Sequence, residues 1–419
     1  MQKPQHRMSF DRFLHLGMRA LKKGDAKRAA EIFHHFNDLR PSDPRGYFGL
    51  AQLEKYQWAF QRAHRLTRKA LLLQPNNLRC YISHATACSD DLELQEALRM
   101  MARALVIHPL NHDLRTHFGL LHLCAGDWRR GFALYDDRGS RRALLRQLKK
   151  FNIAPWRGEP LDGKHILLAA EQGAGDVLQF VRYVAPLAEQ GAKVTVICQK
   201  NLRGLIAQVA GVHAVGATIS GDTSYGEALM TLPRHLHVTP RDVKLNQPYL
   251  VAPTAKEVLP ATDKPRIGVS WTGNPAHSAN RERSVPIAEL APLFALEGIE
   301  FYSFQFDSDT VEDKPFADEV IDLAPRLGDF AQTASYVKQM DLIITIDSSL
   351  AHLAGGLGHP VWLMLARQTD WRWIGDEHTT PWYPSMRLFR QTTAGDWAPV
   401  LGQIAAALQT LRATPRTAR

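Results

Sequence analysis

Residues 29–41 (AAEIFHHFNDLRP), 63–75 (AHRLTRKALLLQP) and 97–109 (ALRMMARALVIHP) repeat one layout every 34 residues. Each segment opens on an alanine, runs on with apolar residues at helical spacing and stops on a proline: Pro41, Pro75 and Pro109. Proline has no amide hydrogen and its ring collides with the preceding turn, so it ends a helix. A small residue held in phase lets a neighbouring helix approach closely. Phe13, Leu16, Gly17, Ala20 and Phe33 fit the frame in the first unit, Tyr47 and Leu50 in the second, Tyr81 and Ala85 in the third. Phe118, Gly119 and Tyr135 keep it in a truncated fourth unit that starts near Asp113.

This period, with small residues at a helix crossing and a terminal proline, resembles the tetratricopeptide repeat. The resemblance implies helix pairs stacked over 1–145, with a concave face that binds an extended protein segment. The alternative is that the repeats only cap the next domain or form a dimer interface. Charge bears on the choice. Residues 1–150 hold 27 lysines and arginines against 14 acids, whereas residues 151–419 hold 24 against 28, so all the excess behind the net +9 lies in the first third. A basic surface attracts acidic partners, whether nucleic acid, anionic membrane or acidic protein. Here the basic residues are interspersed with acids and not interleaved with aromatics in a nucleic-acid motif, so no nucleic acid is expected. A merely solvated helical surface fits the same pattern.

At 419 residues the chain suits two or three domains, and 45% hydrophobic with 22% charged residues excludes a disordered or fibrous protein. No apolar stretch nears the ~20 residues of a membrane helix, and the opening MQKPQHRMSFDRFLH lacks the apolar core of a signal peptide. Cys80, Cys88, Cys124 and Cys198 form no CxxC pair and no zinc or disulfide framework. The expectation is a cytoplasmic protein without stable membrane insertion.

From 151 onward the pattern turns to α/β. The apolar run 165–170 reads as a buried parallel strand. The turn Gly173-Ala174-Gly175-Asp176, a helical pattern over 177–187 and a strand over 194–198 complete a β-α-β unit. The Pro- and Lys-rich stretch 253–265 suits a linker. Beyond it come strands over 266–271, 299–305, 342–346 and 361–365, helices over 287–296, 330–338 and 350–357, and a last helix over 397–411 before a basic tail. The expected fold class is α followed by α/β: repeats over 1–145, a Rossmann-like acceptor-side domain over 146–255, a Rossmann-like nucleotide-sugar domain over 256–395, and a helix with tail over 396–419. Two such halves put a ligand at the carboxyl ends of their strands.

The first turn is not the Gly-x-Gly-x-x-Gly dinucleotide fingerprint, which argues against an NAD enzyme. Its glycines, Gly173 and Gly175, permit a tight turn and a close approach. Asp176 either caps the helix or projects into the cleft as a general base. In Asp347-Ser348-Ser349-Leu350-Ala351-His352 a strand ends and a helix begins, so amides and hydroxyls meet the positive end of a helix dipole, which suits a phosphate. Alternatively the serines cap the helix and His352 packs inside. The polar loop 272–284 carries Arg281 and Arg283, whose forks suit phosphate or are simply solvated.

The Gly-x-Gly-Asp turn and the Asp347–His352 segment together resemble the bacterial heptosyltransferase group of GT-B glycosyltransferases. Residues 156–183, 270–274, Asp370-Trp371-Arg372-Trp373 and Trp382-Tyr383-Pro384-Ser385 look still more like its tetratricopeptide-fused relatives, some of which glycosylate flagellin. The resemblance implies inverting, metal-independent transfer from a nucleotide-sugar co-substrate, with no other cofactor, and Asp176 as the catalytic base. It assigns the donor to Thr272, Gly273, Asn274, Arg281, Gln305, Asp347, Ser348, Ser349 and His352, with Arg283 as the alternative to Arg281. Ser349 stands where the family carries glycine. The acceptor would be a protein presented by the repeats, flagellin or another surface protein. Alternatives are a lipid-linked or surface saccharide as acceptor, or a non-catalytic scaffold that binds nucleotide sugar.

Overall fold

The computed structural model describes residues 10–90, 92–219, 223–245, 248–277, 279–306, 316–373 and 378–413. The basic tail expected after 413 lies outside them. The chain divides between Asp137 and Arg138 into two compact units.

The first unit is helical: α1 (Phe10–Lys22), α2 (Ala26–Leu39), α3 (Pro44–Tyr56), α4 (Phe60–Leu73), α5 (Leu78–Asp90), α6 (Leu94–Ile107), α7 (His112–Cys124) and α8 (Trp128–Tyr135). The period of 34 is written into the turns as well as the cores. Gly24, Trp58, Leu92 and Gly126 all adopt positive φ between paired helices, at 82°, 61°, 64° and 78°. Trp58 and Leu92 do so against the steric preference of residues with a Cβ. Arg40, Gln74 and His108 end α2, α4 and α6, each with its amide bonded to a carbonyl four residues back, and the repeat proline follows. Asp43, Asn77 and Asn111 then cap the next helix through the amides of Arg45, Cys80 and Leu114. Ala29, Ala63 and Ala97 are fully buried, as their phase requires. At the fourth unit's corresponding position, Gly131, an added Cβ would lie 2.6 Å from Leu123. These are stacked helix pairs of the tetratricopeptide type.

The second unit begins with α9 (Gly139–Lys150) and holds two parallel sheets. The first contains β1 (Ala154–Pro155), β2 (His165–Ala169), β3 (Lys193–Ile197), β4 (Val212–Gly216) and β5 (Tyr225–Ala228), in the order β1-β5-β2-β3-β4. The second contains β6 (Arg266–Ser270), β7 (Glu300–Ser303), β8 (Val320–Asp322), β9 (Leu342–Ile346), β10 (Val361–Leu365) and β11 (Met386–Arg390). Its order, β11-β10-β9-β6-β7-β8, is the doubly wound order of a Rossmann domain. The fold is thus helical repeats followed by two Rossmann-like domains.

The domain boundary read from sequence at 145 falls inside α9. Leu144 and Leu148 of that helix are buried with Ile153, Leu167, Ala169 and Ala228 in the core of the first sheet. Gly226 of β5 leaves no room for a Cβ, which would lie 2.5 Å from Leu148. Arg141 completes the attachment with a two-pronged bond, 2.9 and 2.6 Å, to the fully buried Glu227 of β5. The helix therefore belongs to the second unit. Among the described residues no helix is long and apolar enough to cross a membrane.

Candidate functional site

Each sheet reverses its strand order once, between β2 and β5 and between β6 and β9, and open α/β sheets take ligands outside the strand ends at such points. The turn after β2 leads into α10 (Ala174–Phe180), and the turn after β9 leads into α11 (Ser349–Gly356). The two helix starts meet at Gly175, where a Cβ would lie 2.8 Å from His352 and 3.6 Å from the Cα of Ser349. Gly175 is thus a close-approach glycine, and what approaches it is the helix start of the other half. The Gly-Asp turn of one half faces the Ser-Ser turn of the other.

Asp176 is half-buried here, with both carboxylate oxygens engaged. Oδ2 accepts from the Gly173 amide at 2.9 Å, a capping arrangement at the third helical position. Oδ1 faces the Arg372 guanidinium at 2.6 Å. Arg372 also donates through Nε to Gln179 at 2.5 Å and through Nη1 to Asp370 at 2.8 Å. One fork from the second half therefore ties together three side chains around the turn of the first. Burial pushes the Asp176 carboxyl above its ordinary range, and the Arg372 charge opposes that without cancelling it. Sequence reasoning missed Arg372, Gln179 and Asp370 as site residues. The signal for Arg372 and Asp370 was the Asp370–Trp373 motif, which contains both.

At the second turn, Asp347 is half-buried and its carboxyl is pushed up to about 6, by burial first and by the Asp370 charge next. Ser348 is the helix cap: its Oγ accepts from the Leu350 amide at 3.3 Å and lies 3.2 Å from Thr345 Oγ1. Ser349 is the first residue of α11, beside Gly175. His352 is buried, its Nδ1 2.8 Å from the Tyr383 hydroxyl and its ring stacked on Trp373 at 5.3 Å. Burial, reinforced by the Arg372 charge, holds it well below the usual imidazole range, so it is neutral. Its ring thus packs between Trp373 and Tyr383 beside the turn. Tyr383 was another residue that sequence reasoning passed over, though it lies in the Trp382–Ser385 motif.

The loop after β6 is braced from within. Gln305 is buried, accepting from the amides of Trp271 and Thr272 at 3.2 and 3.1 Å and donating to the Thr272 carbonyl at 3.2 Å. Its amide is occupied in holding the loop. Thr272 Oγ1 lies 3.0 Å from Ser284 Oγ, and the Gly273 amide donates to Asn280 at 3.1 Å. Asn274 is exposed, its Oδ1 accepting from Ala276 at 2.9 Å. Of the two arginines, Arg281 is exposed, whereas Arg283 is half-buried and donates to the Asp347 carbonyl at 3.0 Å. Arg283 also fills the space over Gly273, 2.5 Å from where a Cβ would stand. The arginine at the turn after β9 is therefore Arg283 rather than Arg281. Ser278 of this loop lies outside the described residues.

Three acids, Asp176, Asp370 and Asp347, and two bases, Arg372 and Arg283, thus gather around the two helix starts. That set, with the α11 amides, can hold an anion and keep a carboxylate beside it.

No protein-family model matches the chain. It is 26% identical over 387 residues to Protein FlbA of Caulobacter vibrioides, a match covering 83% of this chain and 64% of that protein. The chain therefore spans less than two thirds of that relative's length. Among solved structures it is similar to the first tetratricopeptide domain of Spaghetti (RPAP3) bound to an HSP90 peptide, at 18% identity over 27% of this chain and 92% of that one, with a TM-score of 0.26. It is also similar to TTC0263, a tetratricopeptide protein of Thermus thermophilus, at 19% identity over 31% of this chain and 72% of that one, with a TM-score of 0.28.

Proposed function

We propose that the chain is an inverting, metal-independent glycosyltransferase that moves a sugar from a nucleotide-sugar donor to a hydroxyl of a protein bound by the repeats. The observation that carries this reading is the meeting of the two strand-to-helix turns at Gly175. It brings the Asp176 turn beside a helix start from the other sheet, and helix starts suit an anion. In the reaction the acceptor oxygen attacks the anomeric carbon, the bond from that carbon to the diphosphate breaks, and Asp176 takes the hydroxyl proton. The upward push on the Asp176 carboxyl supports it as a base. The α11 amides, Ser349 and Arg283 would stabilise the charge on the departing diphosphate, and Arg372 would position the base.

The occupation of both Asp176 oxygens favours a second reading, a scaffold that binds nucleotide sugar without transferring it. One set of measurements separates the two. A thermal-shift screen of the full chain against ADP-, UDP-, GDP- and CMP-sugars identifies the donor, and transfer and donor hydrolysis are then followed for Asp176→Asn. The enzyme reading expects donor affinity near wild type and transfer lowered roughly 10²–10⁴-fold, the usual worth of a general base. Normal turnover with reduced stability would leave Asp176 as a cap only. Activity lost in EDTA and restored by magnesium or manganese would overturn the metal-independent scheme.

A further inference from the structure

A second cluster of chemistry-bearing side chains lies in the repeats, away from the site above. His64 of α4, Cys88 in the last turn of α5 and Glu93, just before α6, offer ligand atoms that all lie within 4.8 Å of one another. His64 Nδ1 is 3.8 Å from Glu93 Oε2. The backbone explains the convergence. Leu92 turns the chain with its positive φ, and the Glu93 amide donates to the Cys88 carbonyl at 2.8 Å, folding Glu93 back over the end of α5. One turn away, Thr67 Oγ1 and His84 Nδ1 meet at 2.7 Å and fix α4 against α5. Cys88 is fully buried, while Glu93 is half exposed and gives solvent a way in. His64 Nε2 is buried without a hydrogen-bond partner.

The repeat supplies an internal control. One period earlier the same three positions hold Ala30, Glu54 and Ala59, and one period later they hold Leu98, His122 and Asp127. The combination of thiol, imidazole and carboxylate thus occurs at the junction of the second and third units and is not a by-product of the repeat. Nor does it show in cysteine spacing, because each ligand comes from a different element.

We infer that His64, Cys88 and Glu93 bind a zinc ion that clips α4 to α5 and to the turn before α6. A thiolate with an imidazole and a carboxylate suits zinc rather than magnesium or calcium, which take oxygen ligands. Around a tetrahedral zinc the donors stand roughly 3.4–3.6 Å apart; here all three lie within 4.8 Å of one another, so binding draws all three side chains together and leaves the fourth position to water. On binding, the Cys88 S–H proton passes to solvent and the thiolate takes its place on the ion. Repeat arrays are stabilised by nearest-neighbour interfaces, so a clip at this joint strengthens the array where two units meet.

The test uses the full chain, stripped with chelator and dialysed, then titrated with cobalt(II). One ion per chain is expected, with a thiolate-to-cobalt charge-transfer band that zinc abolishes, and zinc should raise the melting temperature. Cys88→Ala should remove both the band and the zinc-dependent shift. Because Cys88 is buried, Glu93→Gln serves as the second variant. Glu93 makes no side-chain capping bond to α6, so this change should leave helix content intact and weaken zinc binding about 10-fold or more. Absence of the band, a band that survives Cys88→Ala, or wild-type zinc affinity in Glu93→Gln would each overturn the assignment. The outcome is independent of the transferase reading, since magnesium and manganese do not replace zinc at a thiolate.

Discussion

Arg372 turns a set of like charges into a workable site. Asp176, Asp370 and Asp347 crowd one end of the sheets, with Arg372 bonded to the first two and Arg283 to the Asp347 carbonyl. Asp347 is left in the poorest position: burial and Asp370 push its carboxyl from 3.8 up to about 6, so the fold favours its neutral form. A carboxyl raised in this way contributes stability that is fully present below its unfolded value and is lost as pH rises through about 6. Asp347→Asn should therefore stabilise the protein above pH 6, on the order of 3 kcal/mol, and lose that advantage near pH 4. Denaturation midpoints at the two pH values measure it. Parallel curves for variant and wild type would mean that Asp347 ionises without cost. A chain that keeps such a carboxylate gives up stability at this position.

Between elements, the contact that matters is α10 against α11. Adding one methyl at Gly175 drives it into His352, whose ring is already fixed by Trp373 and Tyr383 and cannot retreat. Gly175→Ala should cost about 1–3 kcal/mol, the usual range for overpacking, and lower transfer by more than it lowers donor affinity, because it separates Asp176 from the α11 turn. Equal losses in both would mean that the two turns do not act together. The sequence made much of this element level readable. The repeat helices, the buried strands 342–346 and 361–365 and both turns follow from periodicity and apolar runs alone. What it hid has physical reasons. β8 is three residues long, and β11 is interrupted by Arg387 and ends on Arg390, so neither forms the continuous run of a central strand. Arg372 sits in a single turn of 3₁₀-helix, and its partner Asp176 is 196 residues away, a pairing no local pattern encodes. Gln305, which the resemblance assigned to the donor, holds the loop after β6 through its side-chain amide, a long-range pairing that no local pattern encodes.

At the scale of the whole molecule the informative feature is the charge split. The excess of basic residues lies within 1–150, and the rest of the chain is slightly acidic. If the repeats select the acceptor, part of that selection is electrostatic. Attraction between a basic surface and an acidic protein speeds association and is screened by salt, with a Debye length of ~10 Å at 0.1 M. A donor held at the two turns, as proposed, would depend instead on directed bonds of about 3 Å, which salt screens far less. Raising salt from about 50 to about 500 mM should therefore weaken acceptor binding while donor affinity hardly changes. The fold also dictates where to cut. A truncation at 146 would divide α9 and strip Leu144 from the core of the first sheet, so loss of activity there would report damage rather than loss of the repeats. Residues 138–419 keep that helix and the Arg141–Glu227 bond. This piece should still hydrolyse donor slowly yet fail to modify the intact acceptor, while the full chain does both. If residues 138–419 modify the intact acceptor at the full rate, and salt leaves that rate unchanged, the repeats do not select the acceptor and their positive charge is only a solvated surface.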